Sequence, residues 1–208
     1  MRKTIAIETV KKSIRRKPMP KSLRKGFIAS GWEGHLTGVY LRAAELFAEH
    51  ADASPALHTH LEQLLPCIAF YETVKRITGS QEEAIAFFDK WAFIEIEKLM
   101  PMVRGVMKLG LYRLMPTACG WMLDRMFGEK AGFAYRAVPG GRKFSVDMIR
   151  CPYVEICRKY GCPEMAQFAC RADDITYGNL HPRLNWARTQ TLGTGGECCD
   201  FRLHLKED

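Results

Sequence analysis

The chain has 208 residues, 47% of them hydrophobic, 26% charged and 11% aromatic. That balance supports a buried core and excludes a collagenous, low-complexity or wholly disordered polypeptide. The net charge of +8 is concentrated at one end: residues 1–25 hold ten Lys and Arg against the single Glu8, which leaves a net −1 for the rest. A basic leader therefore sets the charge, and no basic binding face is implied for the body.

No aromatic residue precedes Phe27 to interleave with the leader's cations for base stacking, so no specific nucleic acid is expected. The leader reads as a solvated amphipathic helix packing Ile5, Ile7, Val10 and Ile14 on the body, or as a weak contact with an anionic surface. The run Ile5–Val10 is too short for a secretory core and is broken by Glu8 and Thr9. The most apolar stretch, Leu99–Phe127, carries Arg104, Lys108, Arg113, Asp124 and Arg125, leaving no uninterrupted span of about 20 residues for a bilayer. A cytoplasmic chain without a transmembrane segment is expected.

From Leu36 to about Phe127 the apolar residues recur at helical spacing. One helix is predicted near Leu36–His50, with Leu36, Val39, Tyr40, Ala43 and Phe47 inward. A second, near Ala56–Ile77, follows the capping pair Ser54-Pro55. A third begins at Ser80, which forms a capping box with Glu83, and runs through Ile85, Phe88, Trp91 and Leu99 to Pro101. Two shorter helices around Pro116 carry Met102, Met107, Met115, Met122 and Met126.

After Gly128 the pattern changes. Strands are predicted at Phe133–Val138 and Arg142–Arg150, joined by Pro139-Gly140-Gly141. Helices follow at Pro152–Tyr160 and Pro163–Gly178, then strands at Arg183–Thr191 and Glu197–Leu205. The expected fold class is α+β: an N-terminal helix bundle packed on a four-stranded antiparallel sheet with two helices, in the order β-β-α-α-β-β. The boundaries read as a basic leader over 1–25, a helical subdomain over 26–128 and an α+β subdomain over 129–208.

Eight cysteines without an export signal read as thiols, metal ligands or core residues rather than as a disulfide framework. Cys67 and Cys119 sit apart in helical patterns, as small buried hydrophobes. Cys151, Cys157, Cys162, Cys170, Cys198 and Cys199 crowd the C-terminal third. On the helix Pro163–Gly178, Met165, Phe168, Ala172 and Ile175 form an apolar stripe expected to face the sheet or the bundle. Cys170 points the opposite way, flanked by Asp173, Asp174 and Tyr177, on a face that is either solvated or one wall of a cleft. Two carboxylates beside a thiol are expected to suppress its thiolate. A zinc ion would reverse that by deprotonating Cys170 and recruiting an Asp and a His. Without a Cys-x2-Cys pair the metal signal is weak, so the cofactor is none or a single zinc.

On the last strand Cys199, Phe201, Leu203 and Leu205 share the core face. Leu184, Trp186 and Arg188 share a face of the strand before it. Arg188 there either snorkels at the sheet edge or serves as a buried anchor for an anion. His181, in the turn between the Cys170 helix and the Arg188 strand, is a further catalytic or ligand candidate. The glycine-rich Gly193–Gly196 lacks the Lys and following helix of a phosphate loop and reads as a hairpin connection.

Cys151-Pro152, Tyr160-Gly161-Cys162-Pro163-Glu164, Phe168-Ala169-Cys170-Arg171-Ala172-Asp173, Arg188-Thr189-Gln190-Thr191-Leu192 and Cys199-Asp200-Phe201 together resemble the bacterial L-2-amino-thiazoline-4-carboxylic acid hydrolase family. The resemblance covers roughly residues 35–205 and is most specific in the final third. It implies hydrolysis of a cyclic isothiourea, L-2-aminothiazoline-4-carboxylate, to N-carbamoyl-L-cysteine. Such a reaction wants a carboxylate beside the amidinium, a base for water and a cation for the acid group. The candidates are Cys170, Asp173, His181 and Cys199 for catalysis, and Arg188, Asp174, Tyr177 and Thr191 for binding a small-molecule substrate. The contrasting expectation is a non-catalytic module whose Met-rich segment encloses an apolar ligand and whose cysteines bind metal or sense redox state.

Overall fold

The computed structural model of the chain describes residues 19–139 and 144–206. The amphipathic leader helix through Ile5, Ile7, Val10 and Ile14 lies outside the described residues. The chain divides into two compact units, one ending at Glu95 and one beginning at Ile96.

Among the described residues the first unit holds the helices α1 (Lys21–Ala29), α2 (Leu36–Glu49), α3 (Pro55–Thr78) and α4 (Gln81–Trp91). Ser54 starts α3 as expected: its hydroxyl accepts the Leu57 amide at 3.1 Å, with Pro55 in the first turn. Gly79 ends it at φ +71°, a left-handed position that glycine occupies without cost. At α4 the Ser80 hydroxyl accepts the Glu83 amide (3.2 Å) and donates to Glu82 (2.8 Å). The cap is present, but the carboxylate that answers it belongs to Glu82.

Packing in this unit is aromatic. Phe27 is fully buried, and its ring meets Phe70 at 4.8 Å and Phe87 at 5.5 Å, edge to face in both cases. Arg42 on α2 grips both oxygens of Glu72 on α3, at 2.7 and 3.1 Å. Helix α1 starts inside the stretch read as basic leader and buries Leu23. It approaches α4 closely because residue 26 is glycine: a Cβ there would lie 2.7 Å from the Trp91 ring and 2.8 Å from Phe87. Gly26→Ala is therefore expected to destabilise the protein by about 1–3 kcal/mol, the overpacking penalty outweighing alanine's helix propensity. Urea denaturation checks this, and an unchanged or higher midpoint would show that Trp91 swings aside freely.

The predicted helix from Ser80 to Pro101 is interrupted. Helix α4 stops at Trp91, and α5 (Ile94–Met107) carries Pro101 inside it. A proline removes one backbone hydrogen bond without ending a helix when the neighbouring turns hold. In the second unit α6 (Met115–Met126) places Pro116 in its first turn, where no donor is missed. Among the described residues no helix is long and apolar enough to cross a membrane.

The sheet consists of β1 (Ala134–Ala137), β2 (Phe144–Arg150), β3 (Leu184–Ala187) and β4 (Cys199–Leu205), all antiparallel, in the order β1-β2-β4-β3. Helices α7 (Pro152–Lys159) and α8 (Met165–Tyr177) connect β2 to β3. The fold is thus α+β with the predicted β-β-α-α-β-β order. Register pairs Met148 with Cys199, Val146 with Phe201 and Phe144 with Leu203, so these side chains share one face, which Trp186, paired with Leu203, extends. The opposite face is polar: Arg202 reaches Asp147 at 2.7 Å, and Asn185 meets His204 at 3.1 Å.

Strand β3 is shorter than predicted. Beyond Ala187 the chain leaves the ladder because the Asp200 carboxylate captures its donors. Oδ1 accepts the amides of Thr189 and Gln190, both at 2.9 Å, and Oδ2 accepts the Thr189 hydroxyl at 2.6 Å.

Candidate active site

The turn that Asp200 creates delivers Thr191 and a short 3-10 segment, Leu192–Thr194, to the side of α8. Two sulfurs bracket this turn. The Leu192 amide donates to Cys199 Sγ at 3.3 Å, and a Cβ on Gly193 would lie 3.2 Å from Cys170 Sγ. A side chain at residue 193 would make Cys170 give by a few tenths of an ångström. Thr191 is buried, and its hydroxyl accepts the Thr194 amide at 3.1 Å.

Cys170 comes from α8, on a face that forms one wall of the site. The face bearing Cys170, Asp173, Asp174 and Tyr177 meets Trp186 of β3 and Cys199 of β4, while of the apolar stripe Met165 is buried and Phe168, Ala172 and Ile175 are half-buried. Arg188 draws the acidic face toward it. Its side chain is only 5% exposed and needs acceptors. Nη2 donates to Asp174 Oδ2 at 2.6 Å and to the Cys170 carbonyl at 2.9 Å, and Nη1 lies 3.5 Å from Asp173 Oδ2. The guanidinium also lies 5.9 Å from the Trp186 ring centre and 5.5 Å from that of Phe201. Arg188 is therefore a buried cation and not a snorkelling edge residue.

The thiol chemistry departs from expectation. Cys170 is held below the ordinary thiol range, chiefly because Cys199 donates its S–H to it. The Thr191 hydroxyl and the charge of Arg188 add to this, outweighing burial and the opposing charge of Asp174. Cys199 is correspondingly pushed up, by its bond to Cys170 and then by burial. A relay results, from Leu192 N–H to the Cys199 thiol to the Cys170 thiolate. The expected suppression by carboxylates is outweighed by these donors, the Cys199 S–H first, with the charge of Arg188 adding to them.

Asp173 behaves in the opposite sense. Partial enclosure pushes its carboxyl up to about 7, against the pull of Arg188 and with help from the charges of Cys170 and Asp174. Its side chain is still 42% exposed, so water reaches it. Asp174 is fixed at both oxygens, by Arg188 and by the Trp186 indole N–H at 3.0 Å, while 52% exposed. Trp186 in turn stacks on Tyr177 at 4.9 Å. Tyr177 is pushed up by burial and is bonded to Cys119, whose thiol burial drives to about 11.

Seven of the eight sequence candidates thus form one connected network: Cys170, Asp173, Asp174, Tyr177, Arg188, Thr191 and Cys199. His181 stands with other partners, its ring stacked on Tyr112 at 3.8 Å and its Nδ1 accepting the Arg183 amide at 3.1 Å. Sequence reasoning missed Trp186 as the residue that fixes Asp174, although its shared face with Arg188 was readable. It also missed Cys151, which stands at the start of α7, interacts with Cys170 and Asp173, and is raised to about 11 mainly by burial. Among the described residues no three His, Cys, Asp or Glu side chains converge as a metal's ligands would.

Asp200→Ala should release the turn that carries Thr191. About 1–3 kcal/mol of stability is expected to go with the lost acceptor, and Cys170 should alkylate more slowly at neutral pH because Thr191 no longer donates to it. Unchanged alkylation kinetics would mean that Asp200 only shapes the strand end.

A thiol with a stabilised thiolate beside a carboxyl raised to about 7 is chemically able to attack an electrophilic carbon and to pass a proton. The model of the L-2-amino-thiazoline-4-carboxylic acid hydrolase family matches residues 58–203, from within α3 to within β4, and the chain belongs to that family. Searches of curated proteins and of solved structures returned no match.

Proposed function

We propose that the protein opens the ring of L-2-aminothiazoline-4-carboxylate by hydrolysis, with Cys170 as nucleophile and Asp173 as general acid and then base. The observation that carries this reading is the pairing on one helix face of a donor-stabilised Cys170 with a carboxyl raised to about 7 three residues on. Membership of the family supports the reaction class.

In the first half-reaction the Cys170 thiolate adds to C2 of the protonated ring. The C2–S bond breaks, and the departing sulfur takes the Asp173 proton, leaving an isothiouronium on Cys170. Water then adds to the same carbon and gives a proton to the Asp173 carboxylate. The Cys170–C2 bond breaks, the thiolate departs, and the product is the urea of N-carbamoyl-L-cysteine. One water is consumed, and the proton of the ring cation returns to solvent. An acid pKa near the working pH suits both roles of Asp173. Arg188 is a positioning residue here, holding Asp174 and the Cys170 carbonyl.

Incubating the full chain with the thiazoline should release free thiol and N-carbamoyl-L-cysteine in equal amounts, as followed by a thiol reagent and mass spectrometry. No thiol release above the protein-free rate would remove this reading.

A further inference from the structure

The groups that the site turns toward solvent do not match a ligand defined by its carboxylate. Arg188 is the cation that acts on Cys170, and its side chain is 5% exposed. Both Nη2 hydrogens are engaged, by Asp174 at 2.6 Å and by the Cys170 carbonyl at 2.9 Å. The outward groups are instead the carboxyls of Asp173 and Asp174, 42% and 52% exposed. Asp174 is held by Trp186 and Arg188 at one bond per oxygen, which leaves lone pairs on each for further donors. A planar cation with paired N–H groups is the ligand such a carboxylate recognises.

The chemistry asks for no more than this. Amidinium N–H groups would lie on Asp174, the central carbon over Cys170 and the departing sulfur toward Asp173. None of these contacts uses a ring or an acid substituent. We infer that the protein is a thiol-releasing hydrolase of S-alkylisothiouronium cations as a class, cyclic or open-chain, reading the amidinium through Asp174 and not the carboxylate. For an open-chain substrate the Cys170 thiolate forms a bond to the amidinium carbon, and the alkyl thiolate leaves with the Asp173 proton. Water then releases urea and restores the Cys170 thiolate, so that isothiouronium and water give urea, thiol and a proton. The inference rests on the Cys170–Asp173 reading above and extends its substrate range.

The test compares three substrates on the full chain: the thiazoline carboxylate, 2-amino-2-thiazoline and S-methylisothiourea. The carboxylate-free ring is expected to show kcat/KM within about tenfold of its acid, a gap of about 1.4 kcal/mol. S-methylisothiourea should give methanethiol and urea in equal amounts. Asp174→Asn should raise KM for all three by about tenfold or more with a smaller change in kcat, because it weakens ground-state binding of the cation. If only the carboxylate-bearing ring is opened, the inference fails while the hydrolase reading stands. If the two carboxylate-free compounds are opened and the acid is not, the inference holds and the substrate proposed above falls. If none is turned over, both fall. A binding readout separates recognition from turnover: acetamidinium should slow alkylation of Cys170 by iodoacetamide, and acetate at the same ionic strength should not. Protection by acetate alone would overturn the inference.

Discussion

Cys170→Ser is expected to lower turnover of the thiazoline by about 10³-fold or more while the protein stays folded. The geometry that favours a thiolate does nothing comparable for a serine hydroxyl. The Cys199 S–H, the Thr191 hydroxyl and the Arg188 charge all stabilise an anion on sulfur, whereas an alcohol at the same position keeps its proton at neutral pH and has no adjacent base of matching strength. Steady-state kinetics would read the loss, and intact-protein mass spectrometry of the wild type during turnover should show the amidine adduct on Cys170. Cys199→Ala supplies the contrasting variant. It removes the principal donor, so the Cys170 pKa should rise and the pH at which alkylation reaches half its maximal rate should move upward. Activity at alkaline pH should be less affected than activity at neutrality. Near-normal turnover by the serine variant would end the case for a thiol nucleophile and leave Asp173 as a base acting on water alone.

Much of this arrangement was legible before any coordinates. Helical periodicity gave α2 and α3 nearly to the residue, and alternation put Cys199, Phe201 and Leu203 on one face of β4, because both signals report burial directly. The spacing of Cys170, Asp173, Asp174 and Tyr177 showed that they share a face of α8. The partner of that face was not legible. The apolar stripe reaches the core at Met165, while a buried arginine fifteen residues beyond Asp173 draws the acidic side toward it as well. The sign of the Cys170 shift was hidden for the same reason. Local sequence displays the two carboxylates, whereas the donors that outweigh them come from β4 and the Thr191 turn. That turn depends on Asp200 capturing three donors across a loop, a side-chain decision that β propensity does not encode. Pro101 misled in a simpler way, since a proline marks the end of a helix only where the turns around it are otherwise weak.

For Asp173 the expected effect is on the shape of a pH profile as well as on rate. The ring-opening step needs Cys170 ionised and Asp173 protonated. Activity in kcat/KM should therefore rise through the lowered pKa of Cys170 and fall as Asp173 loses its proton at about 7. Asp173→Asn retains the shape of the side chain but neither donates an acidic proton nor accepts one, so turnover should drop by about 10²–10⁴-fold and the descending limb should vanish. Folding stability should respond with its own sign. A carboxyl whose folded pKa lies above its unfolded value of about 4 binds protons more tightly when folded. The stabilising contribution of this one group is consequently lost as pH rises from about 4 through 7. Because water reaches part of this side chain, that loss is smaller than full burial would produce. The asparagine variant carries no such titration. Relative to the wild type it should gain stability at pH 8 compared with pH 4, as measured by denaturant midpoints at the two values. A variant with low activity but an unchanged descending limb would show that another group supplies the proton. Equal stability differences at pH 4 and pH 8 would show that Asp173 titrates as an ordinary surface carboxylate, and the acid–base half of the proposed mechanism would lose its foundation.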